Sequence, residues 1–428
     1  MYIKREIDDY ILRVLRKDSP QGIILAGVVG SGKTTVVEHC LELLKAEFSI
    51  LKFSGDDVLF RRAVAEDSKY IYQQVQSRSQ QRTIVFVDEI QKSEEIFDAI
   101  KYSFDHAKIS FIVSGSNPAF LNTVARKRLQ RRGQLIAMGG FSLPEILSHS
   151  GISDLHSVAD EFRSLLFDSA VPEVLNRNLS LTSEIAAIIQ RYLQIGGLPL
   201  AHLASGSDSL EAVRAVVDRG FESIHSDNLN FSDLVLVELA KINSREFTYS
   251  NIFQRTGERR RDKVNDVIKG LIEHGYLVVK RPVFPNESRR SYLCVYSYTD
   301  PGIISYLTGE LDISASIGAR IESVVHTRLL HILGQMPLKS QLGYFKPFLV
   351  DPSGSTRFMP GEVDFVIQVG HRIVPIEVKT TSNLSQIDDS QLRAFIKQYR
   401  APYGIVLYGG VPFADPQKKL VFWPWWLV

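Results

Sequence analysis

The chain has 428 residues, a formal net charge of +2, 44% hydrophobic residues and 23% charged residues. This length favours two to four domains, and the composition argues against a disordered chain. The small net charge excludes a global attraction to nucleic acid, so any basic surface must be local. The two cysteines, Cys40 and Cys294, have no metal-binding spacing and predict no disulfide framework, which fits a reducing cytoplasm. No signal peptide and no apolar run of membrane-spanning length are present, so we expect a cytoplasmic protein without a membrane partner.

Strands and helices alternate in the first third of the chain. Residues 1–20 predict an amphipathic helix, and residues 34–46 predict a second helix. Short apolar strands are predicted at residues 23–25, 50–53, 84–87 and 111–114. Short apolar strands separated by helices are typical of a parallel sheet covered on both faces. We therefore predict the α/β fold of a P-loop NTPase for residues 1–147.

A phosphate-binding motif lies between the first predicted strand and the second helix. Residues 27–34 match G-x-x-x-x-G-K-[ST], in the strand-to-helix context that this motif requires. Lys33 is expected to reach the β- and γ-phosphates of ATP, and the Thr34 hydroxyl to ligate Mg²⁺. A glycine-rich turn that binds nothing is the alternative, and the full motif in this context disfavours it. The predicted ATP-binding residues are Gly27, Gly30, Ser31, Gly32, Lys33, Thr34 and Thr35.

Acidic and polar residues follow the next predicted strands. Asp88 and Glu89 come directly after an apolar strand, at the edge where α/β sheets bind ligands. We predict that Asp88 holds Mg²⁺ through water and that Glu89 orients and deprotonates the attacking water. Ser116 and Asn117 end the following strand and are candidates to touch the γ-phosphate or that water. A turn rich in Ser and Gly remains the alternative for these two residues.

These motifs resemble a family of prokaryotic AAA+-type ATPases that carry a C-terminal domain of unknown function, DUF4143, with a restriction-endonuclease-like fold. The resemblance rests on residues 88–91 (DEIQ), 114–116 (SGS), 141–145 (FSLPE) and 192–199 (YLQIGGLP) and covers nearly the whole chain. It makes Arg132 a candidate γ-phosphate sensor, in cis or from a neighbouring subunit. Arg131 and Gly140 depart from the family pattern. A solvated basic helix end is the alternative for Arg132.

The middle of the chain predicts two further modules. Residues 148–228 are interpreted as a helical lid, and residues 229–311 as a winged helix, because three helices precede a strand at 275–279. The turn before the third helix carries Arg259, Arg260 and Arg261. We predict that these arginines contact the DNA backbone, with Lys280 and Arg281 near the wing. A protein-packing module without DNA is the alternative.

Residues 312–428 again predict an α/β domain, with a helix at 317–333 and strands at 345–350, 362–369, 373–379 and 404–408. Strand alternation places Glu362, Asp364 and Glu377 with Lys379 on one face of a hairpin. This arrangement resembles the PD-(D/E)xK nuclease pattern. The resemblance adds Glu322 from the preceding helix and Gln391 as an accessory polar residue, and it implies a second Mg²⁺ or Mn²⁺ held by Glu322, Asp364 and Glu377. A salt-bridged hairpin, or a nuclease fold that no longer cuts, is the alternative.

Two functions follow from this organisation. The first is an ATP-hydrolysing, DNA-associated enzyme in which nucleotide state controls the nuclease-like domain. The second is a nucleotide-dependent switch that binds a protein partner, with a catalytically inactive last domain. A self-associating remodelling ring is a third reading, for which Arg132 is the only sequence support.

Overall fold

A computed structural model describes most of the chain, and its backbone contacts divide it into two compact units. Unit 1 comprises Met1–Phe141, Leu198–His225 and Asp266–Tyr276, and unit 2 comprises Ser142–Gly197, Ser226–Asn265 and Leu277–Val428. The described residues are 2–78, 82–129, 131–152, 156–166, 181–204, 206, 208–222, 224, 229–257, 259–283, 294–335, 339–350, 356–358 and 361–428.

Unit 1 is built on a five-stranded parallel sheet in the order β2-β3-β4-β1-β5. Its strands are β1 (Gly22–Ala26), β2 (Ser49–Ser54), β3 (Thr83–Asp88), β4 (Ser110–Gly115) and β5 (Gln134–Ala137). Its first helices are α1 (Glu6–Leu15), α2 (Lys33–Leu44), α3 (Val58–Glu66), α4 (Tyr70–Gln76), α5 (Glu95–Ala107) and α6 (Pro118–Arg128).

Two apolar layers enclose this sheet, because its central strands carry buried side chains on both faces. Ile24 and Val85 belong to one hydrophobic cluster, whereas Ile23 and Ile84 belong to the other. Such continuous apolar strands are typical of a parallel sheet between helices. The residues that follow the carboxyl ends of β1, β3 and β4 consequently meet at one edge of the sheet.

The remainder of unit 1 consists of later helical segments. They are α10 (Pro199–Leu203), α11 (Asp208–Phe221) and the second half of α14 (Arg261–Glu273), whose first residues fall in unit 2. Some helical residues beyond the predicted boundary at residue 148 therefore belong to the same compact unit as the parallel sheet. The limits of the predicted lid and winged helix stay predictions.

Unit 2 begins with helices. They are α7 (Leu143–His149), α8 (His156–Leu165), α9 (Ser183–Ile195), α12 (Leu229–Lys241) and α13 (Tyr249–Thr256), and α13 ends at Gly257 with φ of 69°. An antiparallel pair follows, formed by β6 (Leu277–Lys280) and β7 (Val295–Tyr298). The helices and the strand that the sequence predicts for residues 229–279 are thus present in the predicted order. Residues 284–293, between these two strands, lie outside the described residues.

The C-terminal part of unit 2 contains α15 (Pro301–Thr308), α16 (Ile317–Gly334), α17 (Ser390–Tyr399) and a six-stranded mixed sheet. Its order is β14-β15-β13-β12-β11-β8. These strands are β8 (Ser340–Phe345), β11 (Val363–Val369), β12 (Arg372–Val378), β13 (Gly404–Tyr408), β14 (Phe413–Asp415) and β15 (Leu420–Pro424). A separate pair consists of β9 (Phe348–Val350) and β10 (Thr356–Phe358). The α/β class predicted for both ends of the chain is confirmed.

Two local predictions need correction. The first helix is confined to Glu6–Leu15 instead of residues 1–20. The predicted strand at 345–350 is two strands, β8 and β9, separated at residues 346–347. Strand β5 was not predicted, because it is short and, of its four residues, Ile136 alone is buried. None of the described helices is long and apolar enough to cross a membrane.

Candidate functional site

A cavity of about 780 Å³ opens at the carboxyl edge of the sheet in unit 1. This volume falls in the range of small-molecule and cofactor sites. The phosphate loop, the acidic end of β3 and the residues after β4 all line it, as the sequence predicts for Gly30, Lys33, Asp88 and Ser116. Residues of α10 and α11 line it as well.

The phosphate loop adopts backbone conformations that need glycine. Gly30 and Gly32 have φ values of 75° and 86°, in the left-handed region where a side chain is strained. A Cβ on Gly30 would also lie 2.8 Å from a methyl group of Val216 on α11. Helix α2 starts immediately after Gly32, so its N-terminal amide groups and its dipole are available to an anion.

The side chain of Lys33 is folded back onto the loop. Its ammonium donates to the backbone oxygens of Gly27 at 3.0 Å and Val28 at 2.9 Å, and the residue is 5% exposed. Burial lowers the pKa of Lys33, although the nearby carboxylates of Glu89 and Asp88 oppose this shift. A phosphate oxygen is a stronger, charged acceptor than a carbonyl, so the ammonium can exchange these partners for a nucleotide.

Thr34 and Asp88 form a pair with the chemistry of a magnesium site. The Thr34 hydroxyl donates to Asp88 Oδ2 at 2.7 Å, and Ser114 and the backbone N–H of Glu89 donate to Asp88 Oδ1. Hydroxyl and carboxylate oxygens are ligands that Mg²⁺ prefers. The residues present therefore fit Mg²⁺, with Thr34 and Asp88 as the groups that would hold it.

Glu89 is held in an uncommon geometry. Its φ and ψ of 50° and 43° are left-handed, which costs free energy for a residue other than glycine. Its carboxylate Oε2 accepts a hydrogen bond from Ser116 Oγ at 3.0 Å and another from Gln91 Nε2. The structure thus brings Glu89 and Ser116 together next to the phosphate loop.

Gln91 is a site residue to which the sequence motifs assign no role. It donates from Nε2 to both Glu89 and Ser116, the latter at 3.0 Å. Its Oε1 is buried without a hydrogen-bond partner and packs on Gly115, where a Cβ would come within 2.1 Å. The glycine in the SGS stretch is the sequence signal that could have indicated this close packing.

Two further predicted residues have other tasks in the structure. Asn117 lines the cavity, but its side-chain oxygen caps α6 by accepting from the backbone N–H of Phe120 at 3.0 Å. Arg132 does not line the cavity: its guanidinium forms a forked ion pair with Asp105 at 2.7 and 2.8 Å. The backbone oxygen of Arg132 faces Gly22, at the start of β1 and at the opposite end of that strand from the phosphate loop. The cis role of Arg132 is disfavoured on this geometry, and a role in trans stays a prediction.

Two arginines that motif reasoning missed line the cavity. Arg5 donates to the backbone oxygens of Ser31 at 3.2 Å and Gly140 at 2.8 Å and stacks on Phe141, so it ties the chain start to the phosphate loop. Arg219 reaches the cavity from α11. Both come from segments far from the motif in sequence, and only the fold brings them to the cavity.

The basic turn before α14 is exposed to solvent. Arg259, Arg260 and Arg261 are all exposed. Arg260 pairs with Asp262 at 2.8 Å, and Arg261 lies over the ring of Tyr249 at 5.2 Å. Two of the three predicted DNA contacts therefore have local partners, although an exposed ion pair is weak and exchangeable.

The predicted C-terminal acids come together in unit 2. Asp364 on β11 accepts from the backbone N–H of Val378 on β12 at 2.7 Å, and Glu377 Oε1 accepts from Lys379 Nζ at 2.7 Å. Glu322 on α16 lies 3.9 Å from Lys280. Within the described ranges, no three His, Cys, Asp or Glu side chains lie close enough together to hold a metal ion. Gln391 is exposed on α17 and lies beside Gly361.

Lys280, which was predicted near the wing, ends β6. Its side chain is only 4% exposed, and its ammonium donates to the backbone oxygen of Asp364 at 2.8 Å. The alternation of side chains along the hairpin predicted that the acids share one face. It could not predict that Lys280, from a strand much earlier in the chain, lies beside them.

Burial and mutual repulsion shape the acid cluster. Burial, and then the neighbouring charge of Asp364, raise the pKa of Glu322 from 4.5 to about 8. The same two causes raise the pKa of Glu377 to about 7, against the opposing effect of Lys379. Burial also raises the pKa of Asp364. The cluster therefore holds its protons more tightly than isolated carboxyl groups do.

The fold and site of unit 1 define a P-loop NTPase. A parallel sheet delivers a glycine-rich loop with Lys33 and Thr34 and the acidic pair Asp88 and Glu89 to one cavity. Residues 19–147 match the family model described as an AAA domain, and residues 318–426 match the one described as a domain of unknown function, DUF4143. Residues 19–147 thus form an AAA-type P-loop domain, and residues 318–426 form a DUF4143 domain.

Solved structures give more distant similarities, and no curated protein matches the chain. Cdc6p from Pyrobaculum aerophilum is 14% identical with a TM-score of 0.28, over 72% of this chain and 96% of that one. Drosophila ORC bound to DNA is 13% identical with a TM-score of 0.25, over 70% and 84% of the two chains. PCH-2 from C. elegans is 14% identical with a TM-score of 0.29, over 51% and 69%. These similarities are too low to carry an argument about function.

Proposed function

We propose that this protein binds ATP with Mg²⁺ in the cavity of unit 1 and hydrolyses it. The observation that carries the proposal is the 2.7 Å bond between Thr34 and Asp88 beside the phosphate loop. A glycine-rich turn without a ligand has no need to place a buried lysine, a threonine hydroxyl and two carboxylates in one cavity. Bound Mg²⁺ would neutralise charge on the phosphates and orient them.

The side chains of the loop bind and orient the phosphates. The ammonium of Lys33 leaves the carbonyls of Gly27 and Val28 and pairs with phosphate oxygens, while the amide groups at the start of α2 surround the anion. Arg219 supplies a further positive charge from α11. These contacts fix the γ-phosphate for attack by water.

Glu89 is the proposed general base. It aligns a water molecule and accepts its proton, and the hydroxyl of Ser116 and the amide of Gln91 hold the carboxylate in position. Ser116 lines the same cavity, so this hydroxyl can bond either to Glu89 or to the γ-phosphate. Gln91 thereby links the phosphate-facing hydroxyl to the base.

A test of the proposed function is ATP hydrolysis by the full chain, measured as phosphate release with Mg²⁺ and again with EDTA. We expect turnover that needs Mg²⁺ and is absent from the Lys33→Ala variant. Metal-independent turnover, or turnover retained without Lys33, would refute the site. The same assay with added duplex DNA tests association, because a DNA-dependent ATPase changes its rate.

DNA association is the second part of the proposal, and the exposed arginines before α14 support it. Arg259 and Arg261 are exposed at the start of a helix that follows a tight turn at Gly257, which is the position of a recognition helix. We infer contacts with the phosphate backbone without base reading. The rival is a switch that uses this surface for a protein partner, and binding that is insensitive to salt would favour that rival.

A further inference from the structure

The acid cluster of unit 2 contains a buried ammonium group, that of Lys280. This lysine lies outside residues 318–426, the segment that matches DUF4143. Lys280 ends β6, and its Nζ lies 2.8 Å from the backbone oxygen of Asp364, 3.9 Å from a carboxylate oxygen of Glu322 and 4.3 Å from the ring centre of Phe365. A buried cation is stable only with such partners. The carbonyl, the carboxylate and the aromatic face together supply them.

Backbone pairing keeps Lys280 at this position. The segment after β6 pairs with β8, the edge strand of the C-terminal sheet: the N–H of Val283 donates to Tyr344 at 2.8 Å, and the N–H of Tyr344 donates to Arg281 at 3.0 Å. Gly343 makes this approach possible, because a Cβ there would lie 2.3 Å from the backbone oxygen of Arg281. The lysine is therefore anchored directly before a short segment that forms an isolated bridge, Pro282 to Tyr344, with the edge strand of the sheet.

The other acids also have internal partners. Asp364 accepts from the backbone N–H of Val378, and Glu377 accepts from the ammonium of Lys379. Each of the three acids thus has an ion-pair or hydrogen-bond partner within unit 2. The strand alternation of the hairpin predicted Lys379 among these acids but not Lys280.

We propose that Lys280 is the built-in cation of this cluster and takes the place of a divalent metal, so that the domain does not cleave phosphodiesters by metal-assisted hydrolysis. A divalent ion next to a fixed ammonium is repelled. An ammonium cannot carry a bound hydroxide, which is what metal-assisted hydrolysis needs. The domain then serves as a binding module attached to the ATPase.

The first experiment measures Mn²⁺ binding to the nucleotide-free full chain by electron paramagnetic resonance. All proteins carry Asp88→Asn, which removes the metal ligand of the ATP site. We expect the same Mn²⁺ binding with and without the additional change Asp364→Asn, or with Glu322→Gln if the first variant does not fold. A bound Mn²⁺ that disappears with either change would overturn the proposal.

The second experiment removes the ammonium. Lys280→Met keeps most of the side-chain length without the charge, whereas Lys280→Arg keeps the charge and is the matched control. We expect Lys280→Met, in the same Asp88→Asn background, to gain Mn²⁺ affinity by roughly tenfold or more. That gain should be lost again when Asp364→Asn is added. A folded Lys280→Met protein with no gain would show that the lysine does not exclude the metal.

A cleavage assay completes the test and does not depend on ATP. Supercoiled plasmid is incubated with the wild-type chain and millimolar Mn²⁺, with Asp364→Asn as the control. Equal, background levels of nicking from both proteins support the proposal. Nicking by the wild type that Asp364→Asn abolishes overturns it, even if the Mn²⁺ titration shows weak binding.

Discussion

The hydroxyl of Thr34 and a carboxylate oxygen of Asp88 are 2.7 Å apart and hydrogen-bonded. They belong to α2 and to β3, a strand separated from β1 by β4 in the sheet. A parallel sheet makes this meeting possible, because its strands end at the same edge. The pair places an oxygen-rich site next to the loop that is expected to hold phosphates.

The first prediction concerns Lys33. The ammonium is buried and bonded to two loop carbonyls, so Lys33→Ala removes a charged donor that phosphate needs. We expect ATP affinity to fall on the order of 100-fold, as measured by calorimetry, with the circular dichroism spectrum unchanged. Lys45→Ala is the control, because Lys45 is exposed and pairs with Glu42 on the surface. Equal affinity in both variants would contradict the site.

The second prediction separates binding from chemistry at Glu89. Glu89→Gln keeps the size of the side chain but cannot accept the proton of water. ATP affinity should stay near that of the wild type while turnover falls by about 100-fold to 10,000-fold. Glu38→Gln, an exposed change on α2, should leave turnover unaffected. Wild-type turnover of Glu89→Gln would remove Glu89 as the base.

The third prediction tests Gln91 as a positioning residue. Gln91→Leu removes the amide that donates to Glu89 and Ser116. We expect kcat to fall by roughly tenfold with KM little changed, since a hydrogen bond to a charged group is worth about 1.5–3 kcal/mol. An unchanged kcat, or a fall in kcat that accompanies a loss of ATP affinity, would contradict a positioning role.

The fourth prediction divides the three arginines before α14. Arg260 already pairs with Asp262, whereas Arg259 is exposed and Arg261, also exposed, lies over the ring of Tyr249. Replacing Arg259 and Arg261 by Ala should weaken DNA binding for every sequence and reduce the salt slope by about 0.9 for each lost phosphate contact. Arg260→Ala should have a smaller effect on both. Fluorescence anisotropy at several salt concentrations measures them, and unchanged slopes would leave this turn as a protein-packing surface.

The fifth prediction follows from the raised pKa of Glu322. Its pKa in the folded chain is about 8 against an ordinary 4.5, so the folded state holds a proton that the unfolded state releases between these values. Folding stability from this group therefore falls as pH rises through that window. Glu322→Gln carries no charge at any pH. With EDTA present, the difference between the Tm of Glu322→Gln and the Tm of the wild type should be more positive at about pH 9 than at about pH 5.

Thermal unfolding of the exposed Glu184→Gln variant is the control for this prediction. Its Tm difference from wild type should not change with pH. A Glu322→Gln difference that is equally insensitive to pH would mean that the carboxyl is not destabilised by its surroundings.

Local sequence patterns predicted much of the nucleotide site. The phosphate motif, the strand before it and the acidic pair after β3 are each contiguous in sequence, and a parallel sheet has only one edge where its carboxyl ends meet. Sequence alone therefore indicated that Lys33, Asp88 and Ser116 share a cavity, and the structure places all three along it. The sequence could not indicate the contact of Gln91 with Glu89. That contact depends on the left-handed backbone of Glu89, which sets the direction of the chain after β3.

The sequence by itself determined the class of both ends of the chain, because periodic apolar strands and a phosphate motif are local properties. Tertiary structure alone decided that Arg132 pairs with Asp105 away from the cavity, and that Arg5 and Arg219 reach the cavity instead. It also decided that Lys280 lies among the C-terminal acids. These placements depend on contacts between segments that are separated in sequence, and no local pattern of residues encodes such contacts.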